Sequence, residues 1–357
     1  MKNAMTSRER VLTAVEHREG DRVPITFDCE KEVLAVLKEH FKVPDAEGVW
    51  RSLHVDTRLV SADHSHPNIG TRPGGISTNF WGVGSKDVEY SFGTMYDIVY
   101  HPLAGMTTVE EINAYAWPTA DELSFETLRA ARKLNPDKAI IAYIGHGGYF
   151  TGTELKGMEE FLMDLGSNPA LAHRVIDHIM DYTRPAVERL CREAGDAFDI
   201  YYIADDFCTA LGPLVSPPMF REFIKPYLKT LADICHRSGK KFLLHTCGSV
   251  RTFLPEIIDA GVDILEPIQT SAAGMEAEGL KRDFGKDITF YGSIDLINVL
   301  SKGSPEDVRS EVLKNFRILG KGGGFIVGPG HTYIQPDTPL ENILTMYETA
   351  YGECLYA

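Results

Sequence analysis

The chain has 357 residues, 43% of them hydrophobic and 24% charged, the balance of a soluble globular protein. Its net charge is −15 with no basic cluster, which argues against a nucleic-acid partner. No apolar run approaches the roughly 20 residues needed to span a bilayer, the start lacks the apolar core of a secretory signal, and the six cysteines follow no disulfide-like pattern, so a reducing cytoplasm is the expected location.

Short apolar, β-rich runs alternate with longer amphipathic stretches. The first run is 23–28. A helical stripe of Val33, Leu34, Val36, Leu37 and Phe41 follows over 30–41. The second run is 56–63. A polar insertion of about 64–117 comes next, with Gly74-Gly75 and a small hairpin expected at Val88-Glu-Tyr-Ser-Phe92. The third run is 139–145, with helical patterns at 157–170 and 169–194. The fourth is 199–205. A helix over 217–238 leads to the fifth, 241–246. A helix over 250–260 stops at Gly261, a good C-terminal signal. The sixth run is 263–267 and the seventh 288–292. Ser304-Pro305 opens a well-capped helix over 304–319. Gly322-Gly-Gly324 reads as a turn, since no helix and no Lys-Ser or Lys-Thr follows it. The eighth run is 324–328, and a last helix covers 340–351.

Eight strands alternating with helices predict an α/β fold, a parallel (β/α)8 TIM barrel. One domain spans 1–357, with the insertion after the second strand forming a lid or one side of the pocket. An open doubly wound sheet is the alternative.

In such a barrel the reactive groups lie at the C-terminal ends of the strands. Read in order, those ends carry Asp28, His64 and His66, His146, Asp205 and Asp206, His245 and Cys247, Glu266, Asp295 and His331. His245 and Cys247 are two apart on a strand, so both face the same way. With Glu266 and His331 they make a set that can hold one metal. Two imidazoles, a thiolate and a carboxylate neutralise Zn²⁺. Asp205 and Asp206 are adjacent and face opposite ways. Asp206 is the one expected in the barrel mouth, positioning substrate or water, with a helix cap as its other reading. His146 and Tyr202 join it as candidate catalytic groups. Asp28, His64, His66, Tyr143 and Asp295 are candidate substrate contacts. Tyr143 and Tyr202 are equally read as packing residues.

These motifs resemble the uroporphyrinogen decarboxylase-like superfamily, and within it the corrinoid-dependent methyltransferase branch. The likeness runs from Met5-Thr-Ser-Arg-Glu-Arg-Val-Leu12 and His17-Arg-Glu-Gly-Asp-Arg-Val-Pro24 to Pro336-Asp-Thr-Pro-Leu-Glu-Asn342. It includes His101-Pro-Leu-Ala104, His245-Thr-Cys-Gly-Ser-Val250 and Tyr291-Gly-Ser-Ile-Asp295. The resemblance implies zinc on His245 and Cys247, with Glu266 added as in related zinc methyltransferases. It also implies a corrinoid (cobalamin) supplied by a carrier protein, a small methylated substrate, and a monomer or homodimer. The decarboxylases carry Arg-Gln-Ala-Gly-Arg after the first strand, where this chain has Asp28-Cys-Glu-Lys-Glu. An acidic segment there repels a polycarboxylated tetrapyrrole. Thiol-methylating relatives have a second Cys in the last loop, where His331 stands here. The expectation is therefore transfer of methyl from a small donor, such as a phenyl methyl ether, to a Co(I) corrinoid. The alternatives are a methylcorrinoid:thiol methyltransferase, a porphyrinogen decarboxylase and a non-catalytic corrinoid-binding protein.

Overall fold

The computed structural model describes residues 5–90 and 93–357. Among these, fifteen strands are formed: β1 (Thr57–Ser61), β2 (Asp63–His64), β3 (Gly70–Arg72), β4 (Ile76–Thr78), β5 (Gly84–Tyr90), β6 (Gly93–Tyr100), β7 (Leu123–Ser124), β8 (Ala139–His146), β9 (Ile200–Ala204), β10 (Cys208–Thr209), β11 (Gly212–Pro213), β12 (Lys241–His245), β13 (Ile264–Glu266), β14 (Thr289–Tyr291) and β15 (Phe325–Ile326). Seven of them form one curled sheet in the order β1-β8-β9-β12-β13-β14-β15. Every pairing in it is parallel. The segment 23–27 lies between β15 and β1. It exchanges backbone hydrogen bonds with Val327 and accepts the Asp56 amide at Ile25. The eight runs read from the sequence are these seven strands and this segment, in the parallel α/β barrel expected.

Strand alternation splits the apolar residues into two cores. Ala139, Ile141, Ile200, Tyr202, Leu243, Ile264 and Ile326 fill the interior, together with Val11 and Val15 of the N-terminal helix Ser7–Val15. The intervening residues, such as Ile140, Tyr201, Leu244 and Phe290, face the outer helices. The N-terminal helix thus stoppers one end of the barrel.

At that same end an aspartate precedes three strands, and each caps the strand before it. Asp56 accepts the Ile25 amide at 2.8 Å, Asp199 the Ile140 amide at 3.0 Å, and Asp263 the Phe242 amide at 2.7 Å.

The insertion is more ordered than its polar sequence implies. β3 to β6 make a four-stranded antiparallel sheet in sequence order, with β5 and β6 as its long hairpin. Ser91 and Phe92 of the expected hairpin lie outside the described residues. The Thr94 amide reaches Glu32 at 3.5 Å, and Tyr96 feels the charges of Glu154 and Glu30. The hairpin therefore comes down beside the open end of the barrel. A further helix, Gly148–Lys156, has no stripe to betray it. Nearly all of its residues are buried, so no polar face exists to set a period.

Candidate functional site

β12 ends with His245 facing inward. Thr246 turns away, and Cys247 faces inward again, as the period of two requires. Gly248 then leaves the strand with φ +89°, and a Cβ there would lie 2.5 Å from the Thr209 carbonyl oxygen. Only glycine lets the chain turn away so sharply beside Cys247. The His245 Nε2 lies 3.5 Å from Cys247 Sγ and 3.6 Å from Asp206 Oδ1. One ligand atom from each of Asp206, His245 and Cys247 lies within 4.8 Å of the others. Asp206 also accepts the Cys247 amide at 2.6 Å, which ties the two loops together.

The other ring nitrogen of His245 points backwards. Its Nδ1 is 2.5 Å from Glu266 Oε2, and both groups are buried. The Thr332 hydroxyl sits 3.2 Å from that nitrogen and donates to Glu266 Oε1 at 3.3 Å. Burial opposes a charge on His245, but Glu266 and Cys247 outweigh it and raise its pKa well above the ordinary value. Burial also raises the Cys247 thiol, with His245 pulling the other way. A metal arriving at Nε2 and Sγ would displace the thiol proton, while Glu266 keeps the Nδ1 proton in place.

The donors suit zinc. Bonds of about 2.0–2.3 Å in a tetrahedron place neighbouring donor atoms about 3.3–3.8 Å apart. The two separations measured from His245 Nε2 fall inside that window. Glu266, expected from the sequence as a ligand, stands behind the imidazole, and Asp206 stands where a third donor is needed.

A pocket opens next to the cluster, lined by Thr26, Phe27, Asp28, Thr57, Leu59, Ile141, Tyr202, Leu243, Glu266, Tyr291, Pro329, His331 and Thr332. Burial pushes the Asp28 carboxyl up to about 7, with Glu266 and Glu30 adding to the shift and the Cys29 amide opposing it. Burial lowers His331, and the charge on His245 lowers it further. His331 thus stands on the pocket wall with its proton held less tightly than on a free imidazole. Tyr202 lines the pocket with its ring 6.0 Å from that of His245. Tyr143 packs edge-on against Tyr202 at 5.4 Å. Burial raises both phenols far above their ordinary value. The Tyr291 hydroxyl hydrogen-bonds Thr26, which holds Thr57 at 3.0 Å. An isolated Thr such as Thr332 carries no spacing signal, and Tyr291 stands out in the sequence only as the start of the block Tyr291-Gly-Ser-Ile-Asp295.

Other candidates are engaged elsewhere. His64 bonds the Ile144 carbonyl at 3.1 Å and the Tyr182 hydroxyl at 3.0 Å, and its ring stacks on Phe80 at 3.8 Å. His66 accepts the Asn68 amide at 3.0 Å and lies 3.7 Å from Glu122. Both fasten the insertion to the barrel. His146 pairs with Glu154 at 3.1 Å and packs on Phe150. Asp295 caps the turn that follows it, accepting the Ile297 and Asn298 amides at 2.9 and 3.0 Å. None of these four lines the pocket. Asp205 turns outward as expected, accepting the Phe150 amide at 2.7 Å and the Tyr227 hydroxyl.

Comparison with known proteins adds a family and relatives. The sequence model described as Uroporphyrinogen decarboxylase (URO-D) matches residues 77–352. A methylated-thiol–coenzyme M methyltransferase from Methanosarcina mazei is 28% identical over 193 residues, 53% of this chain and 47% of that protein. A chloroplastic uroporphyrinogen decarboxylase 2 from Oryza sativa subsp. japonica is 25% identical over 267 residues, 71% of this chain and 63% of that protein. The chain thus spans about half the length of the first relative and under two thirds of the second. A solved structure described as a methyltransferase from Methanosarcina mazei superposes with a TM-score of 0.69 at 19% identity, covering 98% of this chain and 99% of that one. The two share the fold. Among the described residues no helix is long and apolar enough to cross a membrane.

Proposed function

The chain belongs to the uroporphyrinogen decarboxylase family, and from that premise we propose that it is a zinc-dependent methyltransferase moving a methyl group from a small methylated donor to the Co(I) corrinoid of a carrier protein. The observation that carries this reading is the Asp206–His245–Cys247 cluster beside a pocket, with donor separations of zinc size. The likeness to a methyltransferase supports the same reading.

Asp206, His245 and Cys247 would hold the metal, with His331 on the wall of the adjoining pocket. Zinc there would supply a Lewis acid at the atom the methyl group leaves or joins. Glu266 accepts the His245 Nδ1 proton, which fixes the tautomer and aims Nε2 at the cluster. Thr332 holds Glu266 in turn. Asp28 shares the pocket, and burial raises its carboxyl to about 7, so it is placed to hold a proton for a leaving oxygen. Tyr202, Tyr291 and Phe27 supply flat apolar walls for the donor. Beside the pocket Tyr96 and Tyr333 are exposed, an edge suited to a partner carrying a flat macrocycle.

A second reading, transfer between a corrinoid and a thiol, is favoured by the name of the methyltransferase relative. Metal content tests what the two share. We expect about one zinc per chain in the purified protein and none in Cys247→Ala. Metal-free wild type, purified without chelators, would remove both. Assays of methylated donors and of thiols, each with the matching cobalt state, then decide the direction.

A further inference from the structure

The pocket wall holds acids with no fixed cation beside them. Its lining holds two carboxyl groups, Asp28 and Glu266, and no Lys or Arg. The charges acting on Asp28 come from Glu266 and Glu30. Those acting on Tyr333, at the rim, come from Asp28, Glu30 and Glu266. Asp206 and Glu266 are the acids that act on His331, and His245 is the base. A zinc ion held by Asp206, Cys247 and neutral His245 is balanced by its own ligands, so it leaves no surplus positive charge to hold an anion elsewhere in the pocket. The chain as a whole carries −15, which repels anions before they arrive. The remaining lining is aromatic or aliphatic: Phe27, Leu59, Ile141, Tyr202, Leu243 and Tyr291.

We infer that the pocket selects a methylated donor with no negative charge, either a neutral aryl methyl ether or a cationic methylated compound, and rejects donors bearing a carboxylate or sulfonate. A buried anion facing Asp28 and Glu266 lacks the guanidinium or ammonium that such groups require. A cation meets two carboxyls and the aromatic side chains of Tyr202 and Tyr291. Selection at this site rests on the methyltransferase reading above. It goes further by naming Asp28 as the residue that sets the charge preference.

The test uses three ligands that share a methoxyphenyl core with the zinc-loaded protein. Methoxybenzene is neutral, 4-methoxybenzoate anionic and (4-methoxyphenyl)trimethylammonium cationic. Dissociation constants are measured by calorimetry or ligand-observed NMR, with no transfer reaction needed. We expect 4-methoxybenzoate to bind at least about tenfold more weakly than the other two, the scale of a like-charge contact. Asp28→Asn should narrow that gap severalfold, and Glu30→Gln, farther from the ligand, should narrow it less. Binding of the benzoate equal to or tighter than the others overturns the inference, as does a gap unchanged in Asp28→Asn. No binding by any of the three overturns it too. Zinc content on the same samples separates the two ideas: one zinc per chain leaves the methyltransferase reading standing, and its absence removes that reading as well.

Discussion

The two ends of the barrel treat their acids in opposite ways. At the closed end Asp56 is fully buried and clamped by Arg10 at 2.8 Å and Arg22 at 2.7 Å. Asp199 is gripped by Arg8 at 2.7 Å and Arg132 at 2.5 Å, and Asp21 by Arg10 at 2.6 Å. At the open end Asp28, Asp206 and Glu266 have only imidazoles, thiols, hydroxyls and amides for company. Acids matched by fixed guanidinium charges stabilise, and acids matched only by a titratable imidazole, or by no charge at all, are available for a metal, a proton or a ligand. The fold separates the two tasks along one axis, as parallel barrels do.

The sharpest way to break this contrast is to unmatch the closed end. Asp56→Ala leaves Arg22 buried without its acid and Arg10 with Asp21 alone, and removing one partner of a buried pair costs about 3–5 kcal/mol. Urea unfolding should show a loss of that size, while Cys247→Ala at the open end, measured without metal, should change stability by less than about 1 kcal/mol. Equal losses would show that the open end is as much a structural site as the closed one. The next effect in size concerns Glu266. Glu266→Gln keeps the shape but weakens the hold on His245, so zinc affinity should fall about 10–100-fold. A chelator competition assay measures it. Unchanged affinity would mean that the carboxylate does not tune the metal.

A third way uses pH. Asp205 faces away from the pocket, and burial pushes it up to about 7 despite hydrogen bonds from Tyr227 and the Phe150 amide. A carboxyl raised in the folded state above its unfolded value of about 3.9 favours folding while both states are protonated. That advantage is lost as pH rises through the folded pKa. Between about pH 4 and 7 the unfolding free energy should therefore decline by up to about 1.4 kcal/mol per pH unit from this group. Asp205→Asn, which keeps an acceptor for Phe150, should flatten that slope. An identical slope in the variant would place the titration elsewhere, Asp28 being the next group to examine.

Much of this was legible in the sequence, for a physical reason. Strands of a parallel barrel are buried on both faces and read as unbroken apolar runs such as 139–144, so the α/β barrel could be drawn from them. Of the insertion only the hairpin of β5 and β6 was legible, because β3 to β6 are short or largely exposed strands rich in polar residues. At the site, the period of two placed His245 and Cys247 together. Adjacent acids at 205 and 206 could be assigned to opposite faces, but whether Asp206 joins the cluster depends on loop geometry that no spacing encodes. The same holds for Thr332 and for which nitrogen of His245 meets Glu266. His64, His66 and Asp295 show the opposite failure: polar residues after strands that fasten loops and a turn.

Asp295 supplies the smallest and most discriminating effect. It sits just past β14, where a barrel places its reactive groups, yet both of its carboxylate oxygens are spent locally, on the Ile297 and Asn298 amides and the Asn298 side chain at 2.8 Å. Its own amide donates to Glu311 at 2.7 Å. A capping carboxylate of this kind is worth about 1 kcal/mol. Asp295→Ala should lower the melting temperature by ~1–2 °C for a chain of this length and leave zinc content and methyl-transfer rate as in wild type. A rate loss above about tenfold at unchanged melting temperature would mean that this acid at the open end belongs with Asp28 and Asp206 after all, and that the site extends from β12 and β13 to the turn after β14.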